Sequence, residues 1–399
     1  MPQCGQGCPS AAADASADET AVCNLGSINL ARHIVNGKLD EARLAVTVAA
    51  AIRMLDNVID INFYPTVEAE RSNLRHRPIG LGIMGFQDAL FLLDVPYDSP
   101  AALDFADEMM ETVSYHAILT SSKLAAERGA YETFKGSKWE RGLFPIDTID
   151  LLERERGMPI EVSRERRLDW APVYAHVKQH GMRNSNTMAI APTATIANIA
   201  GCFPCIEPIY KNIYVKANIS GEFTVVNDYL VRDLKALGLW NAEMLDQLKY
   251  FDGNVQMIAA VPDHLKAKYR EAFEIDPIVA LQSTAARGKW VDQSQSHNVF
   301  MKGTSGKKLA EIYVTAWRLG LKTTYYLRTL AASQIEKSTL DASKYGFTQK
   351  RDYTEIAGAP AGAAAAVAVE ATLPVAVAVP VEGETKLCRI DDPDCEACQ

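Results

Sequence analysis

From Val22 to Leu327, short strand-like runs alternate with longer stretches of helical period, and after Lys350 the pattern stops. Alternation of this kind buries strands between helices, so it selects an α/β fold with a largely parallel sheet. The strand-like runs are Val22–Asn29, Asn186–Ala191, Asn298–Met301 and Lys322–Leu327. A helix is expected over Leu39–Ile61, where Leu44, Val48, Ala51, Ile52 and Leu55 fall near the 3.6-residue period. Ser99-Pro100 reads as an N-cap followed by proline at the first helical position, opening a long helix to Arg128 that Gly129 closes. Further helices are expected over Asp169–Gly181, Asp263–Phe273, Pro277–Ala286 and Lys307–Leu319, the last closed by Gly320. Residues 130–170, charged and punctuated by Trp and Pro, read as a surface excursion.

The chain has 399 residues, 48% of them hydrophobic, with a net charge of -9 from 41 basic and 50 acidic side chains. That suffices for one large domain or two ordinary ones. The acidic balance and the lack of a Lys/Arg block argue against direct contact with nucleic acid. No apolar run approaches the roughly 18 residues of a membrane span, and no signal peptide is evident. Eight cysteines without a secretion signal read as reduced thiols in the cytoplasm. Four zones follow: an irregular start (1–18), a folded body (19–355), an Ala/Pro/Val-rich flexible linker (356–386) and a tail (387–399) carrying Cys388, Cys395 and Cys398. A disordered arm tipped with Cys-x-x-Cys suits the carriage of electrons between a buried site and an external reductant.

Several motifs could carry chemistry. In Asn186-Thr-Met-Ala-Ile-Ala-Pro-Thr-Ala-Thr-Ile-Ala-Asn198 an apolar strand ends at Pro192 and a helix begins. Its first backbone N–H groups could hold an anion; a plain Thr N-cap accounts for the spacing equally well. Cys202-Phe-Pro-Cys205 could be redox-active or half of a zinc site with Cys4 and Cys8, but its apolar spacer favours two buried residues. Gly80, Gly82 and Gly85 match G-x-G-x-x-G, yet no acidic residue follows at the dinucleotide-binding distance, so close helix packing explains them better. The adjacent Tyr325 and Tyr326 should face opposite sides of a strand; stacked rings would need a bulge or local break. His176 and His180 share one helix face without an acidic third ligand, and read as surface residues.

Taken together, Cys23-Asn-Leu-Gly-Ser-Ile-Asn-Leu30, Arg77-Pro-Ile-Gly-Leu-Gly-Ile-Met-Gly85, Gly181-Met-Arg-Asn-Ser-Asn-Thr187, Pro192-Thr-Ala-Thr-Ile196, Gly288-Lys-Trp-Val-Asp-Gln-Ser-Gln-Ser296, Thr323-Thr-Tyr-Tyr326 and the Cys395/Cys398 pair resemble the large catalytic subunit of class I ribonucleotide reductases. The resemblance runs from about residue 18 to the end. It implies the C-terminal half of a ten-stranded α/β barrel, built from two five-stranded halves, followed by the disordered tail. By resemblance, Cys23 is one of two barrel thiols that reduce the substrate and become a disulfide. Pro192, Thr193, Ala194, Thr195 and Ile196 hold the diphosphate of a ribonucleoside diphosphate. Tyr325 and Tyr326 relay a radical, and Cys395 and Cys398 re-reduce the barrel disulfide before thioredoxin or glutaredoxin recharges them. The chain itself is expected to bind no metal or cofactor. The radical comes from a metal-containing small subunit, and ATP and dNTP effectors act on the full-length family.

The resemblance also implies parts that this sequence lacks: an Asn-x-Cys-x-Glu loop with the radical cysteine, the first barrel half with the partner thiol of Cys23, and the regulatory segments. Neither Cys4 nor Cys8 has the neighbours of that loop. The expected activity is therefore ribonucleoside-diphosphate reduction by a C-terminal portion that needs an N-terminal large-subunit fragment in trans and is inactive alone. The alternative is a catalytically inactive truncated copy that still binds the radical-generating subunit or thioredoxin.

Overall fold

The structure, a computed structural model, describes residues 18–218, 221–303 and 305–329, with no side-chain account over 216–223. The chain divides into two units, 1–349 and 350–399, and the second lies wholly outside the described residues. So do the sequence expectations for the linker and for Cys4, Cys8, Cys388, Cys395 and Cys398.

After β1 (Leu25–Asn29) the chain makes a small hairpin of β2 (Ile34–Val35) and β3 (Lys38–Leu39). It continues through α1 (Glu41–Ile61) and α2 (Val67–His76), then returns as β4 (Gly80–Met84). Next come α3 (Phe86–Leu93), α4 (Pro100–Arg128), α5 (Asp147–Arg156) and α6 (Ala171–His180), which lead to an extended segment over residues 187–191. Seven elements follow: α7 (Ala194–Ala200), the hairpin β5 (Ile213–Asn218) and β6 (Gly221–Val226), α8 (Asp228–Ala236), α9 (Ala242–Tyr250), α10 (Asp263–Lys268) and α11 (Pro277–Gly288). A fourth extended segment ends in β7 (Val299–Met301), and α12 (Gly306–Arg318) connects it to β8 (Leu327–Thr329).

These extended segments form a parallel array in chain order. β1 pairs with β4, Leu81 bridges to Met188, Ile190 bridges to Gln295, and β7 pairs with β8, every pairing parallel. The ladder is irregular where polar side chains replace main-chain partners, but five parallel segments among the described residues match the half-barrel expectation.

Helices cover one face of the array. Gly26 alternates with Ile28 toward α1, where the Leu55 side chain lies 3.5 Å from the position of a Cβ on Gly26. Leu44, Val48, Ile52 and Ile59 of α1 are fully buried, each contributing about 1.5–3 kcal/mol. The expected Ala51 is half-buried instead. Asp40 caps α1 by accepting from the Arg43 N–H at 3.0 Å. Ser99 caps α4 through the Ala102 N–H at 3.2 Å, and Gly129 ends it at φ 86, as the spacing predicts. Three charged clamps converge beneath these helices. The fully buried Asp56 accepts from Arg77 Nε at 2.9 Å and Arg128 Nη1 at 3.0 Å, pairs with Arg183 at 3.4 Å, and accepts from Asn184 Nδ2 at 3.2 Å. It thereby ties α1 to the ends of α2 and α4 and to the approach to the third strand.

Several expectations change. Residues 130–170 are not a surface excursion: Trp139, Phe144 and Trp170 are buried, and Trp170 stacks on Trp290 at 5.5 Å with the planes 4° apart. Spaced aromatic anchors sink into the core while the charged residues between them stay wet. Gly80 and Gly82 serve close approach between strands, not helix packing. A Cβ on Gly82 would lie 2.4 Å from the Ala189 carbonyl oxygen. The helix expected over Asp263–Phe273 stops at Lys268, because Asn212 Nδ2 takes the Tyr269 carbonyl at 2.8 Å and Glu271 opens a separate 3-10 turn with its own capping box. The strand expected from Lys322 becomes regular only at Leu327. The periodicity also missed α2, α3, α5, α8, α9 and the β5–β6 hairpin, which are short or only weakly patterned.

Candidate functional site

In parallel α/β sheets, ligands gather at the carboxyl ends of the strands. Here those ends present Asn29, Gly85, Pro192, Met301 and Thr329. Asn29 donates from Nδ2 to the Ala200 carbonyl at 3.1 Å, while its Oδ1 is buried without a partner. A Cβ on Gly85 would lie 3.2 Å from that oxygen and 3.2 Å from Cys202 Cβ, and the residue sits at φ 74. Glycine is therefore required here both sterically and conformationally.

The turn after the third strand differs from a plain N-cap. Thr193 occupies the cap position of α7 in the left-handed region at φ 53, and its hydroxyl does not cap the helix. Thr193 Oγ1 instead accepts from the Cys205 N–H at 2.7 Å, and Cys205 is itself left-handed at φ 55. Two non-glycine residues in that region cost of order 1–3 kcal/mol each, and such strain concentrates at functional sites. The diversion of the hydroxyl leaves the N–H groups of Ala194, Thr195 and Ile196 without a side-chain cap, on residues that are all exposed.

Cys205 is buried and its Sγ donates to the Ser296 carbonyl at 3.4 Å. Burial, with the Glu207 carboxylate beside it, raises its thiol well above the ordinary range, and burial pushes half-buried Cys202 up to about 11. Neither is a ready thiolate, which supports the buried-residue reading of Cys-x-x-Cys. Among the described residues no cluster of three or more metal-ligating side chains occurs. His176 and His180 approach to 4.6 Å between rings, and His176 Nδ1 pairs with Ser122 Oγ at 2.8 Å.

Cys23 precedes β1, at the amino edge of the array, whereas Thr193 follows the carboxyl edge of the third strand. Among the described residues, Cys23 and Thr193 thus lie toward opposite ends of the parallel strands. By alternation Cys23 shares the face of Leu25, Ser27 and Asn29, away from α1. It is exposed and disulfide-bonded, while Cys202 and Cys205, the other cysteines among the described residues, are free. The expectation of uniformly reduced thiols therefore fails at Cys23.

Tyr325 and Tyr326 do bring their rings together, tilted and not parallel. Their ring centroids are 3.8 Å apart with planes 40° apart, and Tyr325 Oη donates to Tyr326 Oη at 3.0 Å. The local break that this requires is present. The Tyr325 N–H donates to the His297 carbonyl at 2.8 Å, but the Tyr326 N–H donates to the side-chain oxygen of Asn298 at 3.0 Å, and the regular ladder begins one residue later. Beside the pair, Arg328 lies 5.7 Å over the Tyr326 ring. Burial pushes Glu207 up to about 7. A cavity of about 480 Å³ lies here, lined in part by Glu207, Tyr210, Phe300 and Arg328. Sequence reasoning missed Glu207, Asn298 and Arg328, and no spacing rule marks them.

The Gly288–Ser296 string is structural. Asp292 accepts from the Thr187 N–H at 2.7 Å and the Met188 N–H at 2.9 Å, Gln293 Nε2 donates to the Ile79 carbonyl at 2.7 Å, and Lys322 Nζ donates to the Val291, Asp292 and Gln293 carbonyls. Arg287 is fully buried over the Phe86 ring, and it donates to the neutral side chains of Ser283, Thr284 and Gln295.

Comparison with known proteins agrees with this arrangement. The family model "Ribonucleotide reductase, barrel domain" matches residues 7–327. The chain is 49% identical over its whole length to the ribonucleoside-diphosphate reductase subunit alpha of Chlamydia muridarum, of which it spans 36%. It is 38% identical over 85% of its length to the large chain of Schizosaccharomyces pombe, spanning 41% of that protein. Among solved structures, the Actinobacillus ureae class Id ribonucleotide reductase alpha subunit superposes with a TM-score of 0.61 and 26% identity, over 79% of this chain and 51% of that one. The chain therefore spans well under half the length of these curated relatives, and it belongs to the ribonucleotide reductase barrel-domain family.

Proposed function

We propose that this chain supplies the C-terminal catalytic portion of a ribonucleoside-diphosphate reductase large subunit, and that the remaining portion comes from further sequence or a second polypeptide. The observation that carries this is the close, tilted contact of the two tyrosine rings. A phenol passes on an electron and a proton together, and rings at 3.8 Å with hydroxyls at 3.0 Å let a radical on Tyr326 take a hydrogen atom from Tyr325. That step conserves charge: Tyr326 becomes a phenol and Tyr325 a radical. Tyr326 is the more exposed of the two and faces the supply of radicals, a metal-containing small subunit. The exposed N–H groups of Ala194 to Ile196 take the substrate diphosphate. Cys23 and a second thiol then give up two electrons: the ribose 2′-hydroxyl leaves as water, hydrogen replaces it, and the thiols become a disulfide. Cys395 and Cys398 exchange with that disulfide and are recharged by thioredoxin or glutaredoxin. ATP and dNTP effectors act on the full-length enzyme. No helix among the described residues is long and apolar enough to cross a membrane.

The test is reconstitution. The purified chain plus radical subunit should form no deoxyribonucleoside diphosphate; adding a large-subunit fragment that ends in the Asn-x-Cys-x-Glu loop should restore formation. Turnover by the chain without that fragment would overturn the partial-subunit reading, and undiminished turnover by Tyr326→Phe would overturn the relay.

A further inference from the structure

A Thr hydroxyl at the start of a helix ordinarily accepts from the second or third N–H of that helix, with its own backbone extended. Thr193 does neither: it sits at φ 53, and its hydroxyl accepts from the Cys205 N–H at 2.7 Å. Cys205 must then be held where its N–H meets that hydroxyl, although the segment from Gly201 to Cys205 belongs to no helix or strand. Phe203 is the anchored residue. Its N–H donates to Asp88 Oδ2 at 2.7 Å, and its carbonyl accepts from the Gly85 N–H at 2.9 Å. Both partners belong to the start of α3: Gly85 is its N-cap residue and Asp88 lies in its first turn. Only Pro204 separates Phe203 from Cys205, and its fixed φ leaves little freedom between the clamp and the Cys205 N–H. Asp88 is 3% exposed, so water is in no position to replace it. Its other oxygen accepts from Tyr229 Oη at 3.1 Å, which sets the plane of the carboxylate.

We propose that Asp88 is a positioning residue for the Thr193 turn. By clamping Phe203 it holds the Cys205 N–H on the Thr193 hydroxyl, and so keeps the first N–H groups of α7 open for an anion. The proposal deepens the reading of this turn as the seat of the substrate diphosphate and rests on it for its functional meaning, but the geometry it concerns can be measured without turnover. It also ties the second strand to the third: the helix that follows β4 sets the turn that follows Pro192.

The experiment labels the cysteines of the full chain isotopically and records their backbone amide resonances. Cys205→Ser identifies the Cys205 signal, and Thr193→Val gives its position once the hydroxyl acceptor is lost. Asp88→Leu keeps the volume but offers no acceptor, and should move the signal more than half way to the Thr193→Val position. Asp88→Asn should move it less than half way, because a carboxamide oxygen can still accept from Phe203 while its NH₂ group donates to Tyr229. Circular dichroism and thermal melting identify any variant that has failed to fold, and Asp88→Ala is the one read if Asp88→Leu does. Movement of less than half way in the folded Asp88→Leu or Asp88→Ala chain overturns the proposal. So does movement in Asp88→Asn as large as in Asp88→Leu, since the acceptor would then not be what matters. In the reconstituted enzyme Asp88→Leu should raise KM for the nucleoside diphosphate about tenfold and change kcat less, because the weakened contact is to a group that does not react. Movement of the signal with an unchanged KM would leave the clamp intact and remove the diphosphate from this turn.

Discussion

Replacing Asp56 by Ala should be among the most damaging changes available outside the apolar core. Asp56 is fully buried and meets three guanidinium groups, those of Arg77, Arg128 and Arg183, whose side chains are 5%, 32% and 15% exposed. Removing one partner of a buried pair costs about 3–5 kcal/mol, because the surviving charge is left in a poor dielectric. The remaining contacts reduce that cost. Arg77 keeps Asp60 at 2.7 Å, Arg128 keeps Asn57 Oδ1 at 2.7 Å, and Arg183 keeps the Arg128 and Gly129 carbonyls at 3.2 Å. Arg77 and Asn184 lose most, so the lower end applies, about 3 kcal/mol. Asp60→Ala is the matched control: its carboxylate is 46% exposed, and loss of such a pair should cost about 1 kcal/mol or less. Urea unfolding of the full chain, followed by far-ultraviolet circular dichroism, measures both, with an unchanged slope expected. If Asp56→Ala costs no more than Asp60→Ala, Asp56 is not the electrostatic tie between α1, α2, α4 and the third strand.

Gly82→Ala should cost about 3 kcal/mol or more or prevent folding, since its methyl would meet the Ala189 carbonyl at 2.4 Å; a soluble variant with an unchanged melting temperature would refute the close approach. Burial, reinforced by the Arg287 charge, holds His297 down at about 3, below its ordinary 6.5. The stability it contributes is thus complete above about pH 6.5 and is lost as pH falls toward 3, roughly 2 kcal/mol of it by pH 5. Relative to His297→Gln, the wild-type chain should lose stability by that amount between pH 7.5 and pH 5 in urea titrations, and parallel pH curves for the two would refute it. Tyr326→Phe should change stability by no more than about 0.5 kcal/mol, because the side chain is 53% exposed, and melting curves check this beside the activity assay.

How much of this was legible beforehand follows the range of the forces involved. The long helices were readable because their determinants are local: Asp40, Ser99, Pro100 and Gly129 cap or open neighbours a few residues away, and the apolar period of α1 shows its buried face directly. The parallel α/β class and the family resemblance followed from the order of elements and motif strings, which are linear properties. The roles inside those strings were not legible. Nothing in the spacing reveals that Asp292 holds the third strand, that Arg183 answers Asp56, or that the Thr193 hydroxyl serves Cys205 instead of its own helix. Nor could it say that the adjacent tyrosines bring their rings within 3.8 Å, since strand geometry alone predicts the opposite; an amide brought from the neighbouring strand takes the Tyr326 N–H there. Residues 130–170 were misread for the same reason: whether a Trp among charges is wet or buried depends on what the rest of the chain packs against it. Local caps, periods and turns belong to the sequence, whereas the hydrogen bonds that orient the tyrosines and the substrate turn join residues far apart in the chain, so only the folded structure could specify them.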